Sequence, residues 1–85
     1  MRLEPKTMVA GLEIDGTYWA GSLENIQQSA SIQTEIAGKP IKITWDEELL
    51  TPRAFSGSQE LVITQAYWFS WSATHPQTQL YSANN

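Results

Sequence analysis

The stretch MVAGLEIDGTYWA, residues 8–20, predicts the element from which the rest of the fold is built. Apolar residues alternate along the segment before Asp15-Gly16, which is typical of a half-buried strand. Asp-Gly favours a two-residue type I′ turn, because both central residues of that turn take a positive φ. A loop of this length sets Leu12 opposite Trp19. We therefore expect an antiparallel hairpin with Leu12 and Trp19 on its core face.

A second hairpin is predicted by the isoleucines of residues 32–43, which alternate on both sides of AGKP. We favour a four-residue loop over 37–40, which pairs Ile36 with Ile41 and sets Glu35 opposite Lys42 as an opposite-charge pair. A two-residue Ala-Gly loop keeps the same faces. It places Pro40, which has no backbone N–H, within the ladder.

Between and after the hairpins the pattern is less regular. The segment 22–29 predicts a short helix or helical turn that Ser22 caps. Residues 49–55 extend the sheet or form a loop, and Pro52 would confine a strand there to an edge. We expect a turn over 56–59, a β-rich segment over 60–64 that leads directly into a helix, and a last short strand over 78–81.

The aromatic segment AYWFSW, residues 66–71, predicts that helix. Thr64 can cap its start and His75-Pro76 ends it, so we expect a helix over 65–73. The helical period places Tyr67, Trp68, Trp71 and His75 on one face. Two interpretations are open. The rings form an aromatic cluster that nucleates a single core, or they present an exposed face to a partner.

Composition excludes several classes of function. The chain has 85 residues, no cysteine and a net charge of −4, with five scattered basic residues. Absent thiols exclude disulfides and thiolate metal sites, and scattered basic residues argue against nucleic acid as a partner. No apolar run approaches the roughly 20 residues that span a bilayer, and the N-terminus does not resemble a signal peptide. We expect a soluble chain with no membrane insertion; its location stays undefined.

These elements together predict an α+β fold. We expect a small antiparallel sheet of four to six strands, built from hairpins and packed on one aromatic-rich C-terminal helix, with a short helical turn between the hairpins. Residues 1–85 are expected to form one small domain, in which 1–6 are a leader and 82–85 a tail.

Both ends of the chain resemble a prokaryotic family called domain of unknown function 3179. Residues 8–20 resemble its opening hairpin, and 36–43 are similar to its Ile-Gly-Gly-Lys-Pro-Ile/Val segment. The segment 67–71, with His75-Pro76-Gln77-Thr78, resembles its terminal Trp-Phe-Ala-Trp and His-Pro-Asp/Glu-Thr motif. The resemblance spans most of residues 6–81 and implies a hairpin-based fold.

The chain also departs from that family. Many members carry Cys-Pro-Leu-Cys-Gly after the second hairpin, where this chain has TWDEE, residues 44–48. The usual Ala-Tyr-Pro-Leu is altered to YWAGSL, residues 18–23. The resemblance therefore implies a shortened member without cysteine. It implies no activity, and a redox or metal role based on the cysteine pair does not transfer.

Candidate chemistry is sparse. His75 is the sole histidine, and no Ser/His/Asp spacing offers it a nucleophile and an orienting acid, so a structural role is favoured. The run Asp46-Glu47-Glu48 lacks the spacing and glycine of a calcium loop and is interpreted as a solvated bend. Trp19 and Trp45 are expected to face the core. No catalytic residue, metal site or cofactor is predicted.

Three hypotheses for function remain. The first is a non-catalytic structural or protein-interaction module, whose partner is a second copy or another protein. The second is a binder of small ligands or carbohydrates through Trp and Tyr faces with polar neighbours. The third, least favoured, is an acid–base or metal site around His75. The candidate binding residues in the first two cases are Tyr67, Trp68, Trp71 and His75.

Overall fold

The computed structural model describes residues 3–81 of the chain. Its elements are, in order, β1 (Met8–Ile14), β2 (Thr17–Ser22), α1 (Leu23–Ser29), β3 (Ser31–Ile36), β4 (Lys39–Asp46), β5 (Thr51–Ser56), β6 (Gln59–Leu61), β7 (Thr64–Tyr67), α2 (Trp68–Thr74) and β8 (Gln79–Leu80). The predicted α+β class is confirmed. The described residues hold eight strands, where four to six were expected. The expected tail over 82–85 lies outside the described residues.

The strands form two four-stranded sheets. Sheet A has the order β7-β1-β2-β8 and is mixed, since β8 pairs parallel to β2. Sheet B has the order β3-β4-β5-β6 and is antiparallel throughout. The prediction of one small sheet is therefore wrong in number. The chain forms a second sheet because the second hairpin does not pair with the first and instead pairs through β4 with β5, which pairs in turn with β6.

The first hairpin has the predicted register. Leu12 pairs with Trp19 and Glu13 with Tyr18. Asp15 and Gly16 have φ of 50° and 80°, as a type I′ turn requires. The predicted helix cap is also present, because the Ser22 side chain accepts a hydrogen bond from the backbone N–H of Asn25 at the start of α1.

The second hairpin has a different register from the favoured one. Ile36 pairs with Lys39 and Glu35 with Pro40, so the loop is the two-residue Ala37-Gly38 turn. Both of its residues have positive φ, 54° and 78°. Pro40 is tolerated because hydrogen-bonded pairs alternate along the ladder: Ile36 and Lys39, which flank the turn, are bonded, whereas Glu35 and Pro40 are not. On the other side of β4, β5 pairs only from Lys42 onward, so no strand there needs an N–H from Pro40. The shift of two residues leaves every side chain on its expected face.

The middle of the chain forms strands at both sides of a turn. Residues 51–56 are strand β5, which lies between β4 and β6 and not at a sheet edge. Pro52 fits there because β6 reaches only as far as Ala54, so the outer side of Pro52 has no strand to pair with. The expected turn is present as Gly57-Ser58. Val62 and Ile63 then interrupt the β-rich segment before β7.

The predicted helix over 65–73 is wrong in its first turn. Residues 64–67 form β7, which pairs antiparallel with β1, and α2 begins at Trp68. Thr64 is therefore no helix cap. Pairing with the β1 edge gives Thr64 and Ala66 backbone hydrogen bonds and places all four residues in a sheet, which outweighs their local helical pattern. The expected last strand is shorter than predicted and spans only Gln79–Leu80.

The core has two parts, where a single interior around the C-terminal rings was expected. The larger part lies between the two sheets and α1, and the fully buried Ile26, Ile36 and Ile43 contribute to it. The smaller part lies on the other face of sheet A and contains Val9, Ala20, Trp68 and Trp71. Trp19 belongs to the larger part and Trp45 packs against it, as predicted. Sheet A is thus covered on both faces.

Candidate functional site

The N-terminal segment holds the start of α2. The N-cap residue Tyr67 makes no side-chain capping bond. Instead the carbonyl of Thr7 accepts from the N–H of Trp68 at 2.7 Å, and the carbonyl of Pro5 accepts from the N–H of Phe69 at 2.9 Å. These bonds satisfy two of the donors that a helix leaves open at its first turn. The expected leader is therefore part of the packed structure from at least Pro5 onward.

The two tryptophans of α2 are buried against sheet A. Trp68 and Trp71 are 5% and 6% exposed. The indole of Trp71 lies directly over Gly11 of β1, at a place where any Cβ would collide with its six-membered ring. Its Nε1–H donates to Oγ1 of Thr78 at 2.9 Å, and that hydroxyl donates to the His75 carbonyl at 2.7 Å. Trp71 is thus fixed at its face and at its nitrogen.

His75 sits in a corner between two rings. Its imidazole stacks on Tyr18 with centroids 3.8 Å apart and an angle of 15°, and it meets Trp71 edge to face at 4.4 Å. Tyr18 and Trp71 are themselves at 77° to each other, 6.1 Å apart. The sequence hypothesis did not include Tyr18. The hairpin register contained the signal, since it places Tyr18 on the face opposite Trp19.

A pocket of about 250 Å³ opens beside this corner. Its lining combines two aromatic rings, a carboxylate, a hydroxyl and an imidazole, and comprises Gly11, Glu13, Tyr18, Val62, Thr64, Trp71 and His75. The structure therefore brings Trp71 and His75 together at a cavity, as two of the four predicted binding residues. Trp68 and Tyr67 do not line it.

Tyr67 lies on a different surface. Its ring is 47% exposed and stacks at 5.9 Å and 16° on Phe69, which is 52% exposed. Met8 pairs with Tyr67 across β1 and β7 and is exposed as well. We call these three residues the Met8–Tyr67–Phe69 surface. The expected single aromatic cluster over 67–71 is not found, because Trp68 and Trp71 are buried in the core whereas Tyr67 and Phe69 are exposed.

The acidic run forms a bend, as predicted. Oδ1 of Asp46 accepts from the backbone N–H groups of Glu48 at 2.9 Å and Leu49 at 3.0 Å, so the carboxylate closes its own turn. Among residues 3–81, no group of three or more His, Asp or Glu side chains is placed to hold a metal ion. Within the same residues, neither helix has the length and apolar character needed to cross a membrane.

One ion pair joins neighbouring strands of sheet B. The Arg53 guanidinium donates to both carboxylate oxygens of Glu60, at 2.8 and 2.9 Å, and its charge also lies 3.6 Å from Asp46. The hydrogen bonds that Arg53 donates to Glu60, aided by the positive charge of Arg53, lower the pKa of Glu60. The same bonds, aided by the negative charge of Glu60, raise the pKa of Arg53. Both side chains are exposed, so this pair supports local β5–β6 pairing and forms no buried site.

No family model, curated protein sequence or solved structure matches this chain.

Proposed function

We propose that this chain is a non-catalytic protein-interaction module and that its contact site is the Met8–Tyr67–Phe69 surface. The observation that supports this is the parallel, half-exposed pair of rings at Tyr67 and Phe69, beside an exposed methionine. The neighbouring Trp68 and Trp71 are buried and pack α2 on sheet A. The exposed rings of Tyr67 and Phe69 therefore do not form this part of the core. Large aromatic side chains are typical of the few residues that contribute most of the binding energy at protein–protein interfaces.

The rigidity of this surface adds support. Tyr67 belongs to a paired strand, and the Phe69 backbone N–H is bonded to the Pro5 carbonyl. A partner would therefore bury two aromatic rings whose backbone is already ordered, at a small cost in conformational entropy.

A site-specific photocrosslinker tests this proposal. Benzoylphenylalanine at position 69 should give adducts of defined mass when the whole chain is irradiated in cells that produce it. The matched control carries the same group at position 28, because Gln28 is exposed on α1, away from the proposed surface. Equal adducts at both positions, or none at position 69, would contradict the proposal.

A second candidate is the binding of a small polar ligand, such as a monosaccharide, in the 250 Å³ pocket. Tyr18 and Trp71 contribute ring atoms to the lining, while Glu13 and Thr64 offer polar groups for hydroxyls. A panel of monosaccharides read by tryptophan fluorescence tests it, with Glu13→Gln as the variant that should weaken any response. No response across the panel would remove this candidate.

We infer a structural role for His75 rather than an acid–base role. Its ring is packed against Tyr18 on one face and against Trp71 at its edge, and its carbonyl accepts from Thr78. A general base would need a nucleophile within hydrogen-bond reach of a ring nitrogen, and none is seen at His75 among residues 3–81. Unchanged stability of His75→Ala in thermal unfolding would contradict this inference.

We also propose that the chain is a shortened relative of domain of unknown function 3179. Support comes from the residues that carry the resemblance, because they contact one another. Trp71 donates a hydrogen bond to Thr78 and packs against the ring of His75, and Thr78 donates to the His75 carbonyl. A structure of a cysteine-containing member tests this. The matching Trp and Thr should form the same hydrogen bond, and a different topology around them would refute the relation.

A further inference from the structure

We propose that two copies of this chain associate through their β7 strands. The strands pair antiparallel about a two-fold axis and join the two copies of sheet A into one continuous sheet. The inference rests on the proposed function, because Tyr67 belongs both to β7 and to the proposed contact surface.

The four edge strands of the two sheets differ in how they are protected. Edge strands usually carry charges that prevent pairing with another chain. Here β3 carries Glu35, and β6 carries Glu60 held by Arg53. At the edges of sheet A, β8 has only two residues, whereas β7 has four residues and no charge. Among these edges, β7 is therefore the one with both the length and the neutrality for strand addition.

The ladder between β1 and β7 determines which backbone groups face outward. Residues flanking the Asp15-Gly16 turn are hydrogen-bonded to β2, and the pattern alternates along β1. Val9 and Gly11 therefore bond to β7 through Ala66 and Thr64. The bond from the Trp68 N–H to the Thr7 carbonyl continues this series. Gln65 must then direct its N–H and C=O away from β1, to the open edge, and Tyr67 its N–H. The C=O of Tyr67, the N-cap of α2, also accepts the first intrahelical hydrogen bond of that helix.

Charge favours a second copy over a charged partner. The chain carries a net charge of −4, yet residues 61–85 contain no Asp, Glu, Lys or Arg. Two identical acidic molecules repel each other wherever their carboxylates meet. They avoid this repulsion at β7, where neither copy places a charge. A strongly acidic or basic partner would find no opposite charge on this strand to pair with.

The outward groups define one register. Gln65 of each copy pairs with Tyr67 of the other: the Tyr67 N–H donates to the Gln65 C=O, and the Gln65 N–H donates to the second lone pair of the Tyr67 C=O. Ala66 then lies on the two-fold axis, opposite Ala66 of the second copy. The ring of each Tyr67 comes to lie beside Gln65 of the other copy, on the same face of the joined sheet.

A proline variant tests the backbone pairing directly. Gln65→Pro removes an outward N–H while leaving the bonds to β1 intact, because proline is tolerated on the open side of an edge strand. Gln65→Ala is the matched control, since both variants lose the side-chain bond from Gln65 to Thr51. Sedimentation velocity over about a hundredfold range of concentration should show a monomer–dimer equilibrium for the wild type and Gln65→Ala. The dimer dissociation constant of Gln65→Pro should be raised at least about tenfold.

A cysteine variant tests the register. The chain has no cysteine, so a disulfide in Ala66→Cys can form only between copies. The Cα atoms at the axis would lie about 4.5 Å apart, within reach of a disulfide. Oxidation should give a dimer from Ala66→Cys and little from Gln33→Cys, whose cysteine lies on the exposed β3 edge.

The outcomes separate this inference from the proposed function. Wild-type protein that is monomeric at every concentration overturns strand pairing, and adducts of position 69 with another protein would still support an interaction module. Dimers that Gln65→Pro leaves unchanged, or equal cross-linking of the two cysteine variants, also overturn strand pairing. A monomer without adducts at position 69 overturns both.

Discussion

Gly11 and Trp71 are in direct contact across the boundary between β1 and α2. A Cβ atom on Gly11 would overlap the six-membered ring of Trp71 and lie 2.6 Å from Cζ2. The absence of a side chain at residue 11 thus lets the indole lie flat on the strand. This contact sets the distance at which α2 packs on sheet A.

We expect Gly11→Ala to destabilise the fold by about 1–3 kcal/mol, because the added methyl group must displace the indole. Urea unfolding measures the loss. In a double-mutant cycle with Trp71→Leu, the cost of Gly11→Ala should shrink, since the smaller side chain leaves room for the methyl group. Additive costs in the cycle would show that the contact does not limit the packing of α2.

Trp68→Ala should cost about 3–5 kcal/mol, because it leaves a cavity where a 5% exposed indole packs on Val9 and Ala20. A loss of this size is enough to unfold a domain of marginal stability. The matched control is Phe69→Ala in the same helix, which should change stability by less than about 0.5 kcal/mol because the ring is 52% exposed. Circular dichroism during thermal unfolding compares the two, and equal losses would contradict the burial assigned to Trp68.

His75→Ala should lower stability by about 1–2 kcal/mol, because the contacts of the imidazole with Tyr18 and Trp71 are lost. His75→Phe should restore most of the loss, since a phenyl ring can stack but cannot transfer a proton. The unfolding midpoints of the three proteins provide the comparison. A full loss in His75→Phe would point to a role for the ring nitrogens instead.

Ala37→Asn should raise stability by about 0.5–1 kcal/mol, because Ala37 has a φ of 54° and asparagine tolerates this region better than alanine. Ala73→Asn is the control and should lower stability, because Ala73 is exposed within α2 and asparagine is a poorer helix former than alanine. Urea midpoints for both variants test the two-residue turn. A destabilised Ala37→Asn would argue for the longer loop over 37–40.

The Arg53–Glu60 pair should contribute stability that depends on pH. Arg53 lowers the pKa of Glu60 below its ordinary value of 4.5, so the folded state holds this carboxylate ionised more tightly than the unfolded state does. The contribution is therefore present above the ordinary value and is lost as the pH falls through the lowered pKa. The difference in urea midpoint between wild type and Glu60→Gln should be largest near neutral pH and vanish in acid. A constant difference would exclude this linkage.

Local signals in the sequence were sufficient for the first hairpin and for α1. Asp15-Gly16 selects one turn type and thereby one register, and Ser22 caps the helix that follows. The second hairpin shows the limit of such signals. Its two registers place the same isoleucines on the same face, so the hydrophobic pattern cannot choose between them. The turn decides, through the positive φ of Ala37 and Gly38.

The candidate site was predicted only in part. The helical pattern grouped Tyr67, Trp68, Trp71 and His75 on one face, but Tyr67 lies in β7 and faces solvent with Phe69. The pocket draws on Tyr18, Glu13 and Thr64, which come from three different strands. A periodicity within one segment carries no information about such neighbours, because they are brought together only by strand pairing.

The α+β class, the first hairpin and the set of residues apolar enough to form a core follow from turn chemistry and local periodicity, so the order of amino acids alone predicts them. The strand at residues 64–67 and the packing on both faces of sheet A depend instead on contacts between distant segments. The physical reason is competition for backbone hydrogen bonds. The open edge of β1 bonds to Thr64 and Ala66, and the carbonyls of Thr7 and Pro5 accept from the N–H groups of Trp68 and Phe69 at the start of α2.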